Sequence, residues 1–321
     1  MRSIIFAEGN GYGHVARDQI LSDYLKIPII SFGKGAEYAK THNLDLIEIP
    51  SPYKLSSDND QINLTPNPIE IAKLFKPDVF AQLKTHFSNV DLVICDGTPL
   101  GILIAKILGK ESIYISNDFS SFVGLGGRFR KRVAKGLLPS VLSFPKALIV
   151  PDFPPPLSVS KLNLEINAPL MFCGPLISQV PQQKHGKQLL ISGNLRSLVS
   201  SLIDPDICIY GSNSFDLKSG LDDCEVVICH GGHTTIMEAL SYGKPVICIV
   251  DRMYSERYNN AKFLESFGVG VLLDSKNLTC ESLTLAIEVA KLSDKQKLSL
   301  FKNFSKTHSP KKFFESLLTS I

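Results

Sequence analysis

The sequence HGGHTTIMEALSYGKP at residues 230–245 decides the fold, because it predicts a loop and a helix that follow a buried strand. The residues just before it, VVIC at 226–229, form a continuous apolar run, which is typical of a strand buried on both faces of a parallel sheet. Gly243 and Pro245 predict the end of the helix. Two glycines in the loop let backbone N–H groups approach a ligand, and the helix start adds further donors and roughly half a positive charge. The segment therefore predicts a binding site for an anion such as a diphosphate.

The predicted helix also places polar side chains on one face. Glu238 follows Thr234 by four residues and Thr235 by three, so it lies about one 5.4 Å turn further along the same face. This spacing is close to the distance between a phosphate and a ribose. A plainer interpretation stays open, in which the glycine pair is only a tight turn and Glu238 is a solvated helix residue.

The sequence after this helix supports the first interpretation. Residues 246–250, VICIV, predict another buried strand, and the segment behind it contains Glu256, Arg257, Asn260 and Ala261. Together with residues 229–245, these positions resemble the donor-binding half of GT-B glycosyltransferases, including UDP-glycosyltransferases and the family 28 enzymes of peptidoglycan synthesis. In that family His-Gly-Gly is followed by Ser or Thr, by Glu, by Gly-x-Pro, and then by an acidic-Gln pair and Asn-Ala. This sequence departs from the pattern at Arg257, where the family has Gln.

The resemblance implies an α/β fold with two Rossmann-like domains whose parallel sheets face a cleft, and with C-terminal helices that cross back to the first domain. It also implies a nucleotide-sugar donor, expected to be a UDP-sugar. The residues implied to bind this donor are Gly11, Gly13, Gly193, Asn194, His230, Gly231, Gly232, His233, Thr234, Thr235, Glu238, Glu256, Arg257 and Asn260. Gly193 and Asn194 belong to residues 189–194, LLISGN, which resemble the family's glycine turn facing the donor diphosphate.

The composition suits a globular chain of 321 residues with two domains, since 44% of the residues are hydrophobic and 20% are charged. A net charge of +3 gives no reason to expect nucleic acid as a partner. The seven cysteines fall mostly in apolar runs and predict reduced thiols. No apolar run approaches the ~20 residues of a membrane span, and the run at 4–7 is too short for a signal-peptide core. We therefore expect a cytoplasmic protein that needs no cofactor.

Apolar runs alternate with helical patterns along most of the chain, which is typical of parallel sheets covered by helices. The first series predicts an acceptor-side domain over 1–150, with strands near 3–7, 28–32, 45–50, 91–96, 112–116 and 147–150. The stretch PDFPPP at 151–156 predicts a stiff linker, which we extend over 151–169. The second series predicts a nucleotide-sugar-binding domain over 170–305, with strands near 170–173, 189–192, 207–211, 226–229, 246–250 and 269–273. The resemblance implies that the last segment, 306–321, packs on the first domain.

The first domain carries a second candidate site. Its first strand runs into EGNGYGH at 8–14, which places His14 at the carboxyl edge of the sheet, where open α/β sheets bind ligands. The spacing G-x-G-x-G, and a second strand that ends at Gly33 without an acidic residue, argue against a dinucleotide. Gly-x-Gly-His followed by Arg17 resembles the acceptor-side loop of the same glycosyltransferases, which implies that His14 is the catalytic base. Asp96 lies just past another buried strand, and the resemblance implies that it orients His14; an N-cap or Asx-turn before Pro99 is the alternative.

These assignments predict a glycosyltransferase in which His14 deprotonates the acceptor hydroxyl and the loop at 230–235 stabilises the leaving diphosphate. We expect no metal, because fixed dipoles and His230 take the place of a cation. Zinc at Cys224, Cys229, His230 and His233 is disfavoured, since alternate strand residues point to opposite faces and no second Cys/His pair has finger spacing. Inversion is favoured because positions 246 and 264 lack the second glutamate of retaining members. A UDP-sugar 2-epimerase-like enzyme and a non-catalytic nucleotide-sugar-binding protein stay open as alternatives.

The sequence says least about the acceptor and the sugar. Residues 128–135 form a basic amphipathic segment that contains Arg128, Arg130, Lys131, Arg132 and Lys135. It favours a lipid-linked or anionic acceptor and peripheral contact with the inner face of a membrane, at up to ~1 kcal/mol per basic residue; a solvated helix face is the alternative. Arg257 favours a sugar acid on the donor, since its fixed donors suit a carboxylate. An internal pair with Glu256 or Glu265, or simple exposure, is the alternative.

Overall fold

The computed structural model describes residues 1–52, 57–58, 61–62, 77–117, 119, 140–160, 168–177, 188–191, 195–204, 208–210, 218–252 and 254–321. Two expectations from the sequence lie outside these residues. One is the part of the donor site formed by Gly193 and Asn194, and the other is the basic segment at 128–135.

The chain divides into two units, each with its own parallel sheet. Unit 1 comprises Met1–Pro151, Ile166–Phe172 and Glu315–Ile321, and unit 2 comprises Asp152–Glu165 and Cys173–Phe314. This architecture confirms the α/β class with parallel sheets that the alternating pattern predicts.

The strands of unit 1 are β1 (Ser3–Ala7), β2 (Ile29–Ser31), β3 (Leu46–Glu48), β4 (Ser57–Asp58), β5 (Gln61–Ile62), β6 (Leu92–Asp96), β7 (Glu111–Ile115), β8 (Ala147–Val150) and β9 (Leu170–Phe172). Seven of them form a parallel sheet in the order β3-β2-β1-β6-β7-β8-β9, while β4 and β5 form a separate antiparallel pair. The helices are α1 (Gly13–Leu25), α2 (Gly33–Thr41), α3 (Pro77–Ser88) and α4 (Pro99–Ile107). The central strands β1 and β6 are buried along almost their whole length, as their continuous apolar sequences require.

Unit 2 contains β10 (Gln188–Ile191), β11 (Cys208–Tyr210), β12 (Cys224–Cys229), β13 (Val246–Val250) and β14 (Gly270–Asp274). These strands form a parallel sheet in the order β11-β10-β12-β13-β14. The helices after β10 are α5 (Arg196–Val199), α6 (Lys218–Leu221), α7 (His233–Ser241), α8 (Ser255–Phe267), α9 (Cys280–Lys291), α10 (Lys295–Thr307) and α11 (Pro310–Ser320). The boundary between the two units falls within α11.

Two expectations about the end of unit 1 are wrong. The strand near 170–173 pairs in parallel with β8, with Leu148 opposite Leu170, so it is an edge strand of the first sheet and does not begin the second. The proline-rich stretch is not a separate linker, because its residues 152–160 pack into unit 2. Phe153 and Val159 are buried in the core there, and the Phe153 ring packs edge-to-face on Phe301 with the centroids 4.8 Å apart. Burial of these apolar side chains outweighs the extended preference of the prolines.

The helical C-terminal region is interrupted at 292–294, between α9 and α10. Asp294 begins α10 there as its N-cap, because its carboxylate accepts hydrogen bonds from the backbone N–H groups of Gln296 and Lys297 at 3.0 and 3.1 Å. None of the helices in the described ranges has the length and apolar character needed to cross a membrane.

Candidate active site

The carboxyl ends of β1 and β6 bring the first group of predicted site residues together. The two strands pair in parallel with Ala7 opposite Asp96, and the Glu8 N–H donates to the Asp96 carbonyl oxygen at 2.9 Å. The chain then turns into α1, whose first turn contains His14. Because adjacent parallel strands end at the same edge of a sheet, two side chains 82 positions apart in sequence meet there.

His14 and Asp96 are in direct contact. His14 Nδ1 lies 2.9 Å from Asp96 Oδ1, and the Asp96 side chain is completely buried whereas that of His14 is 26% exposed. Thr98, not Asp96, is the N-cap of α4, so the alternative of a capping aspartate does not hold. Nε2 of His14 makes no hydrogen bond to another described residue. An imidazole held at Nδ1 by a carboxylate leaves Nε2 for a substrate, which is the arrangement of a general base.

Arg17 is a third member of this group that the sequence placed in the motif without a role. Its Nε donates to Asp96 Oδ2 at 2.6 Å, its Nη2 donates to Asp96 Oδ1, and its Nη1 donates to Asn117 Oδ1 at 3.1 Å. The side chain is only 4% exposed. A guanidinium that grips a carboxylate through two parallel bonds fixes both its position and its charge. The spacing of three residues between His14 and Arg17 on one helix is the signal that could have predicted their proximity.

The charge of Asp96 dominates the electrostatics of this edge. Burial would raise the pKa of Asp96, but the Arg17 guanidinium and His14 hold that pKa well below its usual range. The pKa values of two neighbouring carboxyl groups are raised instead. Burial raises the pKa of Glu8 to about 8, and burial together with the charge of Asp96 raises the pKa of Asp18 well above its ordinary value. Near neutral pH, therefore, Asp96 carries the negative charge of the cluster while Asp18 and most of Glu8 are protonated.

Gly97 completes the pocket around the His14 ring, although nothing in the sequence singled it out. Its φ is +68°, and a Cβ at this position would lie 2.4 Å from His14 Cε1 and 3.1 Å from Glu8 Cβ. The position therefore admits only glycine as long as the imidazole stays where it is. The predicted residues Gly11 and Gly13 lie in the loop before α1 and at its first position. A Cβ on Gly11 would meet no described atom within 4 Å.

The second group of predicted residues lies at the carboxyl end of β12 in unit 2. Gly231 has a φ of +78°, and a Cβ there would lie 2.9 Å from the Arg257 carbonyl oxygen. Gly232 is the N-cap of α7 with φ −66° and ψ 135°, values that other residues adopt, and a Cβ on it would meet no described atom within 4 Å. As a glycine, Gly232 has no side chain with which to cap this helix start. Gly231 thus serves the turn itself, whereas Gly232 leaves open space above the first N–H groups of α7.

The exposure pattern of α7 agrees with a ligand-binding face. Thr234, Thr235 and Glu238 are partly exposed, and the intervening apolar residues of the helix are buried. His230, at the end of the strand, is also partly exposed. One expected donor is occupied, because the Gly231 N–H donates to Cys229 Sγ at 3.4 Å. The three polar residues of α7 therefore lie at partly exposed positions, as the helix pattern predicts, and Gly231 forms the turn that precedes them.

The side chain of His233 does not face this surface. It is 3% exposed, and its Nε2 lies 3.4 Å from the buried Oδ2 of Asp152. Asp152 also accepts hydrogen bonds from the Phe153 N–H at 2.7 Å, the Ser158 hydroxyl at 3.1 Å and the Ser160 N–H at 2.9 Å. The His233 imidazole is therefore placed away from this surface, and the expectation that His233 binds the donor stays a prediction. Its partner belongs to the proline-rich stretch, which the sequence predicted as a linker and so did not connect with α7.

The predicted residues of α8 support the loop from behind. Asn260 is 2% exposed, and its Nδ2 donates to the Gly231 carbonyl oxygen at 3.2 Å. The Arg257 guanidinium carbon lies 5.0 Å from the centroid of the Tyr254 ring. Glu256, in the first turn of α8, is partly exposed. Asn260 thus supports the loop, whereas Arg257 and Glu256 are the two predicted site residues of α8 that are partly exposed.

Metal coordination has no support in the described part of the chain, where no three His, Cys, Asp or Glu side chains converge on one point. Cys229 instead contacts Cys248 on the adjacent strand, with the sulfur atoms 3.9 Å apart. Cys224 is a buried thiol whose pKa burial raises to about 12.

Comparison with known proteins agrees with this geometry. Residues 207–317 match the model of the glycosyltransferase family 28 C-terminal domain. An uncharacterized glycosyltransferase of Methanosarcina acetivorans is 27% identical over 326 residues, which cover 85% of this chain and 86% of that protein. The UDP-N-acetylglucosamine--N-acetylmuramyl-(pentapeptide) pyrophosphoryl-undecaprenol N-acetylglucosamine transferase of Sulfurihydrogenibium sp. is 31% identical over 147 residues, 44% of this chain and 41% of that protein. The crystal structure of the glycosyltransferase VinC in complex with dTDP has a TM-score of 0.66 at 16% identity, with 99% of each chain covered.

Two α/β units with parallel sheets, together with this likeness of structure, show the GT-B fold. The match of residues 207–317 and the likeness to glycosyltransferases of Methanosarcina along most of the chain support a glycosyltransferase similar to those of family 28.

Proposed function

We propose that this glycosyltransferase moves a sugar from a nucleoside diphosphate sugar, with UDP as the nucleotide, to an acceptor hydroxyl, with inversion and without a metal ion. The observation that carries the proposal is the pair of His14 and Asp96. The imidazole is fixed through Nδ1, 2.9 Å from a buried carboxylate, and Nε2 has no hydrogen-bond partner among the described residues.

In the proposed reaction, His14 Nε2 takes the proton of the acceptor hydroxyl as the acceptor oxygen forms a bond to the anomeric carbon. The bond between that carbon and the diphosphate oxygen breaks, and its electron pair leaves with the nucleoside diphosphate. A single displacement of this kind inverts the anomeric centre. A positioned general base contributes roughly 10²–10⁴ in rate, so His14 accounts for a substantial part of the catalysis.

The donor side of the proposal rests on the start of α7. Gly232 has no side chain to cover the first N–H groups of the helix, and the helix adds its partial positive charge. Fixed donors of this type stabilise the charge that develops on the leaving diphosphate, which is the task a metal ion performs in other enzymes. Glu238, one turn further on and partly exposed, is placed to accept hydrogen bonds from ribose hydroxyls.

The choice of nucleotide draws on the relatives. One named relative uses a UDP-linked sugar, and the structural neighbour VinC was crystallised with dTDP, so both nucleotides carry a pyrimidine base. Calorimetry of the full-length protein with UDP, dTDP, ADP and GDP in the presence of EDTA tests this choice, and we expect UDP to bind most tightly. Tighter binding of a purine diphosphate would overturn it.

Product analysis then tests the reaction. The protein is incubated with UDP-sugars and candidate acceptors, and the anomeric configuration of the product is read by NMR. An inverted glycoside formed in EDTA supports the proposal, whereas a retained configuration or a metal requirement contradicts it. Epimerised UDP-sugar formed without acceptor would indicate a 2-epimerase, and binding without turnover would indicate a nucleotide-sugar sensor.

The sugar and the acceptor are proposed from the sequence. Arg257 favours a sugar acid, although its packing over Tyr254 also gives it a structural role. If the carboxylate is recognised, Arg257→Gln loses ~1.5–3 kcal/mol of preference for UDP-glucuronate over UDP-glucose. A wild-type enzyme without such a preference would refute the assignment.

The basic segment at 128–135 is proposed to contact a membrane and to favour a lipid-linked or anionic acceptor. Sedimentation with anionic vesicles tests the membrane contact.

A further inference from the structure

We propose that Arg17 is a positioning residue that keeps the proton of His14 on Nδ1 and the imidazole neutral, so that Nε2 is ready to accept a proton. This inference rests on the proposed role of His14 as the base. It concerns a residue that contacts Asp96 and His14 rather than the substrate.

The first argument is the geometry around one oxygen atom. Asp96 Oδ1 accepts a hydrogen bond from Arg17 Nη2 and lies 2.9 Å from His14 Nδ1, while Nη2 and Nδ1 are 2.9 Å from each other. An arginine nitrogen donates and never accepts. The ionised Asp96 carboxylate can only accept, so its contact of 2.9 Å with His14 Nδ1 is a hydrogen bond only when Nδ1 carries a proton. This contact favours the proton on Nδ1, which leaves the lone pair on Nε2.

The second argument is the balance of charge. Among the described residues, Asp96 on β6 and Arg17 on α1 contact His14 Nδ1, and Glu8 lies nearby at the end of β1; Asp18, further along α1, lies close to Asp96 and Arg17. Burial raises the pKa of Glu8 and, with the charge of Asp96, that of Asp18, so both are largely uncharged at neutral pH. The opposite charges of Asp96 and Arg17 then remain beside the imidazole. A second proton on the imidazole would place a positive charge next to Arg17 Nη2, which lies 2.9 Å from Nδ1.

Removal of Arg17 reverses this balance. Asp96 would keep its burial but lose both guanidinium hydrogen bonds, so an uncompensated anion would remain next to the imidazole. The most accessible counter-ion is His14 itself in its protonated form. A protonated imidazole cannot act as a base. The variant would therefore lose activity at neutral pH and regain part of it at higher pH.

The experiment follows His14 by NMR in the full-length protein with 15N-labelled histidine, and the signals are assigned by their loss in His14→Ala. We expect wild-type His14 at neutral pH to carry one proton, on Nδ1. In Arg17→Met the doubly protonated form should persist to higher pH, and the acidic limb of the activity profile should move the same way. Activity at neutral pH should fall about tenfold or more, a part of the roughly 10²–10⁴ that a base supplies.

Three variants separate charge from geometry and from folding. Arg17→Lys keeps the charge but loses the pair of hydrogen bonds to Asp96. The titration of His14 in this variant should stay near that in the wild type, while turnover falls. Asp18→Asn is the matched control, because it replaces a protonated carboxyl with an amide of the same shape and should leave the His14 titration unchanged. If Arg17→Met alone does not fold, the double variant Arg17→Met with Asp96→Asn removes both charges and should return His14 to the neutral form.

The outcomes distinguish this inference from the proposed function. A His14 titration that is the same in wild type and Arg17→Met, or a wild-type proton on Nε2, would overturn the role of Arg17. Because the NMR measurement uses no substrate, it gives this answer whatever reaction the enzyme catalyses. An active His14→Ala variant would instead refute the base and leave the measured charge balance intact.

Discussion

The two sheet edges that carry the predicted site differ in the groups they present. At the carboxyl edge of unit 1, ionisable side chains hold one another: buried Asp96 is gripped by Arg17 and contacts His14. At the carboxyl edge of unit 2, glycine and backbone form the surface, and the buried side chain of Asn260 supports it from behind. Proton transfer needs a side chain that titrates, whereas an anion can be bound by fixed backbone dipoles. The proposed function accordingly assigns proton transfer to unit 1 and binding of the diphosphate to unit 2.

The largest expected effect comes from His14→Ala. The variant loses the base but nothing at the edge of unit 2, so turnover should fall by about 10²–10⁴ while the affinity for UDP stays nearly unchanged. Initial rates give the turnover, and calorimetry on the same preparation gives the affinity for UDP. His86→Ala, on α3 of the same unit, serves as the control and should keep wild-type turnover. An equal loss of UDP affinity and turnover in His14→Ala would contradict the proposal that the two edges have separate roles.

The same comparison shows what sequence can predict. The loop from Cys229 to Glu238 is local, so strand, turn and helix start follow from adjacent residues, and the exposed face of α7 matches the expectation. The meeting of His14 with Asp96 follows from parallel pairing of two predicted strands. The grip of Arg17 on Asp96 and the contact of His233 with Asp152 depend on side-chain directions across distant segments. No spacing rule supplies those directions, so the sequence predicted neither of these two contacts.

A second prediction tests how closely unit 1 is built around the imidazole. Gly97→Ala adds a Cβ that would lie 2.4 Å from His14 Cε1, so the ring must move. Turnover should fall by up to about 10²-fold, the effect of a displacement near 1 Å in a reacting group. Gly109→Ala is the matched control: its φ of +65° gives similar backbone strain of about 1–2 kcal/mol, but no described atom lies near the added Cβ.

Both variants should lose free energy of unfolding through backbone strain, and Gly97→Ala should lose more because of its contact with the ring. Only Gly97→Ala should also lose turnover, measured under conditions in which both variants are folded. Equal turnover in the two variants would show that the close packing of Gly97 on the ring is irrelevant to catalysis.

The third prediction addresses the edge of unit 2. Glu238→Ala should weaken UDP by about 1.5–3 kcal/mol, the contribution of a hydrogen bond to a charged group, and should leave inorganic pyrophosphate nearly unaffected. The reason is that Glu238 lies one turn beyond the phosphate-binding start of α7. Glu281→Ala, an exposed glutamate in the first turn of α9, should change neither affinity. Parallel losses for UDP and pyrophosphate in Glu238→Ala would refute the ribose contact.

The smallest expected effect belongs to Gly232→Ala, and it separates binding from stability. The φ of −66° suits alanine, so the variant gains about 0.4–1 kcal/mol through the unfolded state, but alanine is a poorer N-cap than glycine by a similar amount. The free energy of unfolding should therefore change little. The new Cβ enters the open space above α7 and should remove about one hydrogen bond to the diphosphate, roughly 0.5–1.5 kcal/mol, from UDP and pyrophosphate alike. Gly231→Ala, with its φ of +78° and a contact of 2.9 Å to the Arg257 carbonyl oxygen, should instead unfold more easily. Unchanged affinity for both ligands in Gly232→Ala would place the anion somewhere other than this helix start.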